Sequence, residues 1–511
     1  MNAITKPGRK KVTALYAVLM LAFGILTGCD GINDYSVNPD HRLRFSVDTL
    51  SFDTLFSSVG SVTKQFMVYN PNGEALKIES ILLANAGKSG FRINVNGRRG
   101  DSFKDIDIWK KDSLYVSVEV TANPNGAHRP LMIEDSILFH TNGIRQSVLL
   151  QACGQDVRLI KGGVTFTKDT VLTADLPWLV YDSLTVAEGV TLTLEKGVRF
   201  YMHSQASLIV AGTLKANGTR EEPILFRGDR LDYIYAEVVL PYDRIPGQWR
   251  GIYFTPASFD NELHHVIIRN GFSGLVCRES TPERKKIDIR HSQITNMDDK
   301  LLVAINCWIE ASDSEFSNST SATVALIGGK YRFVHCTLAN YKKIGKSRDL
   351  QSPCLMLSNH LKSGENETFY PLLQAGFDNC IIDGSFPADS THLYSGELMF
   401  FTQEEGEEQG HDATFNYRFN SCFIKTARIE NERFVRNLFV KSPSYLKTAT
   451  REEIYEYDFR LANESEGIGR ADRTVSEHFP EDRYGVSRLT GDTAPSIGAY
   501  EYVHQEEEKK E

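Results

Sequence analysis

The sequence has no surplus of positive charge: Lys and Arg number 57 against 66 Asp and Glu, a formal net charge of −9. A chain that binds nucleic acid by neutralising phosphates needs the opposite balance, so nucleic acid is not an expected partner. Methionine (8) is scarce, whereas Phe (28) and Tyr (21) are plentiful, a bias toward strands over helices. Cysteine numbers 8, but no C-x-x-C pair occurs and no ligand spacing suits zinc. The apolar run from Val12 to Leu26 is too short to cross a bilayer comfortably, which takes about 20 residues. With 41% hydrophobic and 24% charged residues, the composition also excludes wholesale disorder.

What is present begins with an export signal. Lys6, Arg9, Lys10 and Lys11 precede the apolar run, and Leu26-Thr27-Gly28-Cys29 follows it. This order resembles the leader and lipobox of bacterial lipoproteins. The resemblance implies cleavage after residue 28, acylation of Cys29 and an anchor of two or three acyl chains, which holds stably where one would not. Residues 1–28 are then a signal peptide and 29–42 a polar tether. The expected location is the envelope of a Gram-negative cell, as an outer-membrane lipoprotein with the membrane as partner.

Residues 43–156 carry short alternating strands, among them Leu43–Val47, Lys64–Tyr69, Leu114–Val120 and Ser147–Leu150. Asn70-Pro71-Asn72-Gly73, Asn123-Pro124-Asn125-Gly126 and Asn142-Gly143 separate them. Strands with such turns predict an antiparallel β-sandwich. The order of strand, Tyr-Asn-Pro-Asn-Gly turn and Phe-Arg-Ile-Asn-Val strand is similar to the Ig-like domains of bacterial envelope proteins.

From residue 157 the chain repeats itself. Ile287, Ile309, Tyr331, Ala375 and Tyr417 are separated by steps of 22, 22, 44 and 42. The same steps relate Ile289, Ala311, Phe333, Phe377 and Phe419; Ser292, Ser314, Cys336, Cys380 and Cys422; and Ile294, Phe316, Leu338, Ile382 and Ile424. A period of 22 suits one coil of a β-solenoid, with residues two apart facing inward and equivalents stacked about 4.8 Å apart. Asn296, Asn318 and Asn340 form a further column, read as an asparagine ladder at a bend that tolerates the left-handed conformation. Steps of 44 and 42 place Cys336, Cys380 and Cys422 two coils apart, which predicts free, buried thiols.

Upstream, Val186-Ala187-Glu188-Gly189-Val190-Thr191-Leu192, the stretch from Gly212 to Phe226 and Trp249-Arg250-Gly251-Ile252-Tyr253-Phe254 resemble right-handed parallel β-helix proteins of the pectate-lyase-like class. Asp482 to Arg488, followed by Ile497-Gly498-Ala499-Tyr500-Glu501, resembles the closing motif of many such envelope proteins. The expected fold is therefore all-β: an Ig-like sandwich (43–156), then a right-handed parallel β-helix (157–502) and a disordered tail (503–511). Residues 228–248, 341–353, 359–374 and 384–416 break the period and read as insertions, which in solenoids often build the binding face.

Lyases of that class use carboxylates to hold Ca²⁺ and a basic residue to remove a proton, and Asp229, Arg230, Asp232, Asp243 and Arg244 offer such groups in the first insertion. Hydrolases use paired Asp residues and Gly-His-Gly. Asp298-Asp299 is present, but Gly410-His411-Asp412 departs from the second motif. His291, Asp313 and His335 stack as a polar column beside the inward one and would serve as acid, base or metal ligand. Tyr233, Tyr235, Tyr242 and Trp249 cluster as candidate sugar-stacking aromatics. The reading that absorbs most of these is a lipoprotein displaying a noncatalytic glycan- or surface-binding β-helix, without cofactor or metal. The alternative is a polysaccharide lyase or glycoside hydrolase on acidic glycans, with Ca²⁺ required only in the lyase case.

Overall fold

The computed structural model describes residues 35–126, 129–235, 239–343, 346–349, 352–364, 366–388, 396–402, 414–439, 442–448 and 456–506. The leader, Cys29, the tether as far as residue 34, the acidic residues Glu404, Glu405, Glu407 and Glu408, and Gly410-His411-Asp412 lie outside these. The described chain is all-β, with 51% strand against 2% helix. It divides into two units, residues up to 123 with 131–154, and residues 124–130 with 155 onward.

The first unit is a β-sandwich. One sheet contains Lys64–Tyr69, Ser113–Val120 and Phe91–Val95; the other contains Leu76–Leu83, Ser102–Ile108, Leu131–Thr141 and Ile144–Gln155. Period-two alternation turns Val68, Val116 and Val118 of one sheet, and Ile78, Ile81, Phe139 and Val148 of the other, into a single shared core. Asn142 and Gly143 join the two longest strands with φ of 51° and 73°. Both being positive, the link has the twist that a two-residue hairpin requires.

The second unit is a parallel β-helix. Three parallel sheets of ten, nine and ten strands run its length among the described residues. One coil shows the plan: Gln293–Met297 in the first sheet, Leu302–Ile305 in the second and Trp308–Ser312 in the third. The next coil repeats it with Glu315–Ser319, Val324–Ile327 and Gly329–Val334. The inward columns are in register: Ile294 pairs with Phe316, Phe316 with Leu338, Leu338 with Ile382, and Ile382 with Ile424. All five are fully buried. Each contributes roughly 1.5–3 kcal/mol of hydrophobic burial. In the third sheet Phe333, Phe377, Phe419 and Phe434 stack with centroid spacings of 5.2, 4.8 and 5.0 Å.

The steps of 44 and 42 are single coils. Phe333 pairs directly with Phe377, and Phe377 with Phe419. Insertions that leave at a corner and return make up the extra length, so Cys336, Cys380 and Cys422 lie on adjacent coils and not two apart. The amide of Cys336 is 3.5 Å from the Cys380 Sγ, and that of Cys380 is 3.4 Å from the Cys422 Sγ. The three thiols are free and buried, but the distance argument for that outcome fails. The asparagine column also differs from expectation. Asn296 and Asn318 are left-handed, with φ of 57° and 63°, whereas Asn340 is not. Their amides do not bond one another: Asn296 Nδ2 donates to the Arg244 carbonyl (3.0 Å), and Asn340 Nδ2 to the Ser319 carbonyl (3.0 Å) and hydroxyl (3.1 Å).

Candidate functional site

From His265 onward the chain turns from the third sheet into the first at one left-handed residue per coil. These corner residues are His265, His291, Asp313, His335, Asn379 and Ser421, with φ between 47° and 54°. Asn, Asp and His are the non-glycine residues most tolerant of that region. The polar column of the sequence is thus first a backbone requirement.

The structure lays the C-terminal segment over part of this column. A four-residue helix, Arg473–Ser476, is capped by the Asp472 side chain, which accepts from the Thr474 amide. Ser476 Oγ is 2.8 Å from His335 Nε2, and Asn379 Nδ2 donates to the Asp472 carbonyl at 3.1 Å. Arg488 donates to Asp313 Oδ1 at 2.9 Å, with both side chains buried. Burial pushes the Asp313 carboxyl up to about 6 against the pull of Arg488. Burial likewise holds the imidazole of His335 well below its usual range. The closing motif organises this segment: Asp482 accepts from the amides of Tyr484, Val486 and Glu501. Gly498, at φ +96°, passes so close that a Cβ would sit 2.6 Å from Ile381 Cδ1. His291 and His265 lie farther along and stack at 4.8 Å. His291 is nonetheless within reach of the same C-terminal segment, where the Asp482 backbone bonds its ring and the Arg488 charge opposes its protonation.

A polar cleft opens on the outer face of the first sheet, with a cavity of about 100 Å³. Asp243 and Arg244, from a 3₁₀ turn in the first insertion, line it with Arg269, Gln293, Thr295, Glu315, Ser317 and Tyr457. The charges meet one another. Asp243 lies 3.1 Å from Arg227 and 3.2 Å from Arg269, and Arg244 lies 3.3 Å from Glu456. Glu315 accepts from Gln293 (3.0 Å), from Ser317 (2.5 Å) and from the Tyr500 hydroxyl. Burial draws the Arg269 guanidinium below its usual range, with Asp243 opposing.

Of the five charged residues read from the first insertion, Asp243 and Arg244 reach this cleft. Asp229 instead bonds His203 at 2.7 Å, and Arg230 pairs with Asp232. Asp298 meets Lys346 at 2.8 Å and Asp299 meets Lys300 at 3.1 Å. The aromatic cluster does not assemble as expected. Trp249 is fully buried and donates from Nε1 to the Arg269 carbonyl at 2.9 Å, so its ring is core and presents no face to a sugar. Tyr242 carries the Arg230 guanidinium 3.8 Å above its ring, while Tyr233 is exposed. The side chain of Tyr235 lies outside the described residues. Arg269, Glu315 and Tyr500 were missed; the signal for Glu315 was its place one residue past the inward Ser314.

The outer face of the second sheet has a different character. Thr185, Ile209, Tyr253, Val276, Val303, Ala325, Met356 and Met399 form one column in register, with no charged side chain. Among the described residues no group of three or more His, Cys, Asp or Glu is placed to hold a metal ion. No described helix is long and apolar enough to cross a membrane.

No protein-family profile matches the chain. Part of it is similar to "Protein bark beetle" of Drosophila melanogaster, 38% identical over 141 residues, which are 26% of this chain and 4% of that protein. The chain thus spans about 4% of the length of the curated relative it matches. Among solved structures it is similar to the catalytic unit of a GH87 alpha-1,3-glucanase from Streptomyces thermodiastaticus, with 11% identity, a TM-score of 0.33 and coverage of 73% of this chain and 74% of that one. The E. coli chaperone DraB shares 10% identity at a TM-score of 0.17, covering 23% of this chain and 55% of that one. The fold stands on the strand register itself: a β-sandwich followed by a parallel β-helix.

Proposed function

We propose that this chain is a lipid-anchored envelope protein whose β-helix binds glycan without cleaving it. One observation carries the reading: the acids and bases of the cleft are spent on each other. Asp243 is flanked by two arginines and Glu315 accepts from three donors. A general acid or base needs a carboxyl free to exchange a proton with substrate. The uncharged column on the second sheet supports the same conclusion, because lyase chemistry needs carboxylates and a base on one face. On this reading Cys29 bears the lipid, the outer membrane is the partner surface, and the sandwich is an Ig-like spacer.

The test uses the full chain purified in detergent and a panel of neutral and acidic polysaccharides. Binding with no release of reducing ends and no new unsaturated-uronate absorbance is expected. Turnover on any glycan that is lost on Asp243→Asn or Glu315→Gln would establish the hydrolase or lyase alternative instead. For the anchor, Cys29→Ala is expected to move the protein from the membrane to the soluble fraction, and unchanged fractionation would refute acylation.

A further inference from the structure

The chain enters the sandwich at Tyr35, which bridges Ala75, while the Ser36 amide donates to the Ala75 carbonyl at 2.9 Å. Ala75 leads into the strand Leu76–Leu83, whose Leu76 pairs with Ile108. Tyr35 and Trp109 therefore lie at the same end of the sandwich, two strand spacings or roughly 10 Å apart. Cys29 stands six residues before Tyr35, a length of chain that reaches at most about 20 Å. An acyl group on Cys29 thus brings this end of the sandwich against the bilayer.

That end presents an aromatic ring to solvent on a fixed turn. Trp109, first of Trp109-Lys110-Lys111-Asp112, is 55% exposed. Its backbone is tied down: the buried Asn70 donates from Nδ2 to the carbonyls of Glu74 (2.8 Å), Ile108 (3.2 Å) and Trp109 (3.0 Å). The Asp112 amide also donates to the Trp109 carbonyl, at 3.2 Å. Lys111, left-handed at φ 58°, donates from Nζ to the Pro71 carbonyl at 2.6 Å. On the entering loop Val37 is 86% exposed. Lys110 and Arg42 are exposed, and their side chains make no ion pair or hydrogen bond among the described residues. Two carboxylates of these loops are engaged: Glu74 lies 3.7 Å from His41, and Asp112 accepts from the Ser113 amide at 2.7 Å. A single exposed apolar residue needs no explanation, but a rigidly presented Trp with Val and free cations beside an anchor marks a contact surface.

We infer that Trp109 and Val37 dock this end of the sandwich into the headgroup layer of a phospholipid bilayer, next to the acylated Cys29. The inference rests on the lipid-anchor reading and adds a second attachment to it. Tryptophan suits the boundary because its ring body is apolar while Nε1–H finds water or a headgroup oxygen. Lys110, Lys111 and Arg42 reach phosphates on long apolar stems. Glu74 and Asp112 offset part of that charge, so the ring supplies most of the attraction. Two attachments hold the sandwich in one orientation on the membrane, where a tether alone would let it turn.

The experiment places the acylated full chain in vesicles of phosphatidylethanolamine and phosphatidylglycerol whose acyl chains carry bromine near the headgroup, a short-range quencher of tryptophan. Of the four tryptophans Trp109 is the most exposed, and Trp249 is fully buried. Brominated vesicles are expected to dim the emission relative to unbrominated ones, and Trp109→Phe should remove at least about four fifths of that quenching at an unchanged melting temperature. Val37→Asp/Lys110→Glu, which alters two exposed side chains, should lower the quenching about twofold or more. Equal quenching in the wild type and Trp109→Phe overturns the inference. If the protein floats with the vesicles but is not quenched, docking falls and the anchor stands; if it does not float with them, and Cys29→Ala behaves the same, both fall.

Discussion

From His265 to Ser421 the corner column of the β-helix has one backbone conformation and two fates. At His265 and His291 the left-handed residues stack on each other; at Asp313, His335 and Asn379 they are buried under the C-terminal segment and bonded to it. The fold sets the type of residue at every corner, and the overlying segment decides whether that residue becomes a structural lock. Polar residues in a column are therefore not by themselves a catalytic signature: their shared φ explains their identity before any ligand is invoked.

The contrast breaks most sharply at Arg488. Arg488→Leu leaves Asp313 buried and uncompensated, which should cost about 3–5 kcal/mol in denaturant unfolding. Adding Asp313→Leu should recover part of that loss: an apolar pair replaces the Arg488–Asp313 pair at little cost, while Glu501, 3.6 Å from Arg488, still loses its arginine. If the single variant is as stable as the wild type, the segment does not lock the corner. Next in size is Gly498→Val, which places a Cβ against Ile381 at a φ that L residues avoid. About 1–3 kcal/mol is expected from the strain alone, read as a lower melting temperature and faster proteolysis near residue 498.

Much of this architecture was legible in the sequence, because a stacked core repeats its side chains. The columns through Ile294, Phe316 and Leu338, and the Asn142-Gly143 hairpin, follow from periodicity and turn chemistry alone. The coil count was not legible. An insertion leaves and re-enters at a corner, so its length is free, and those between Cys336 and Cys422 brought two coils to about twice the period. Burial of Trp249 was hidden for a related reason: it re-enters at the start of a strand, where ring and insertion are contiguous in sequence but opposite in direction. The cleft was half legible. Asp243 and Arg244 were named, whereas Tyr500 reaches Glu315 across 185 residues, a contact no local pattern encodes.

The histidine end of the column gives a pH test. Burial, with His265 alongside, pushes His291 down to about 4. The unfolded chain then binds the proton more readily between the ordinary histidine value of about 6.5 and that lower value. Stability contributed by the neutral ring is full above about 6.5 and is lost as pH falls through this window. His291→Asn keeps the left-handed corner and removes the titration. Relative to the wild type it should gain on the order of 1–2 kcal/mol between pH 7 and pH 4.5, a figure reduced for the partial exposure of the ring. Unfolding curves at the two pH values check it, and parallel behaviour of both proteins would mean the corner is already solvated.

The smallest effect separates two accounts of the asparagine column. Asn296 has φ of 57° and donates to the Arg244 carbonyl at 3.0 Å, which ties the first insertion to the coil. Asn296→Ala removes the hydrogen bond and forces a Cβ residue into the left-handed region, for about 1–2 kcal/mol together. Asn296→Gly removes only the bond and should cost about half as much. A ladder held by amide-to-amide bonds would make the two variants equally costly and would weaken the neighbouring coil at Asn318. Bonds to backbone confine the damage to Arg244 and its turn, so hydrogen exchange should rise at residues 242–248 and stay unchanged at 315–319.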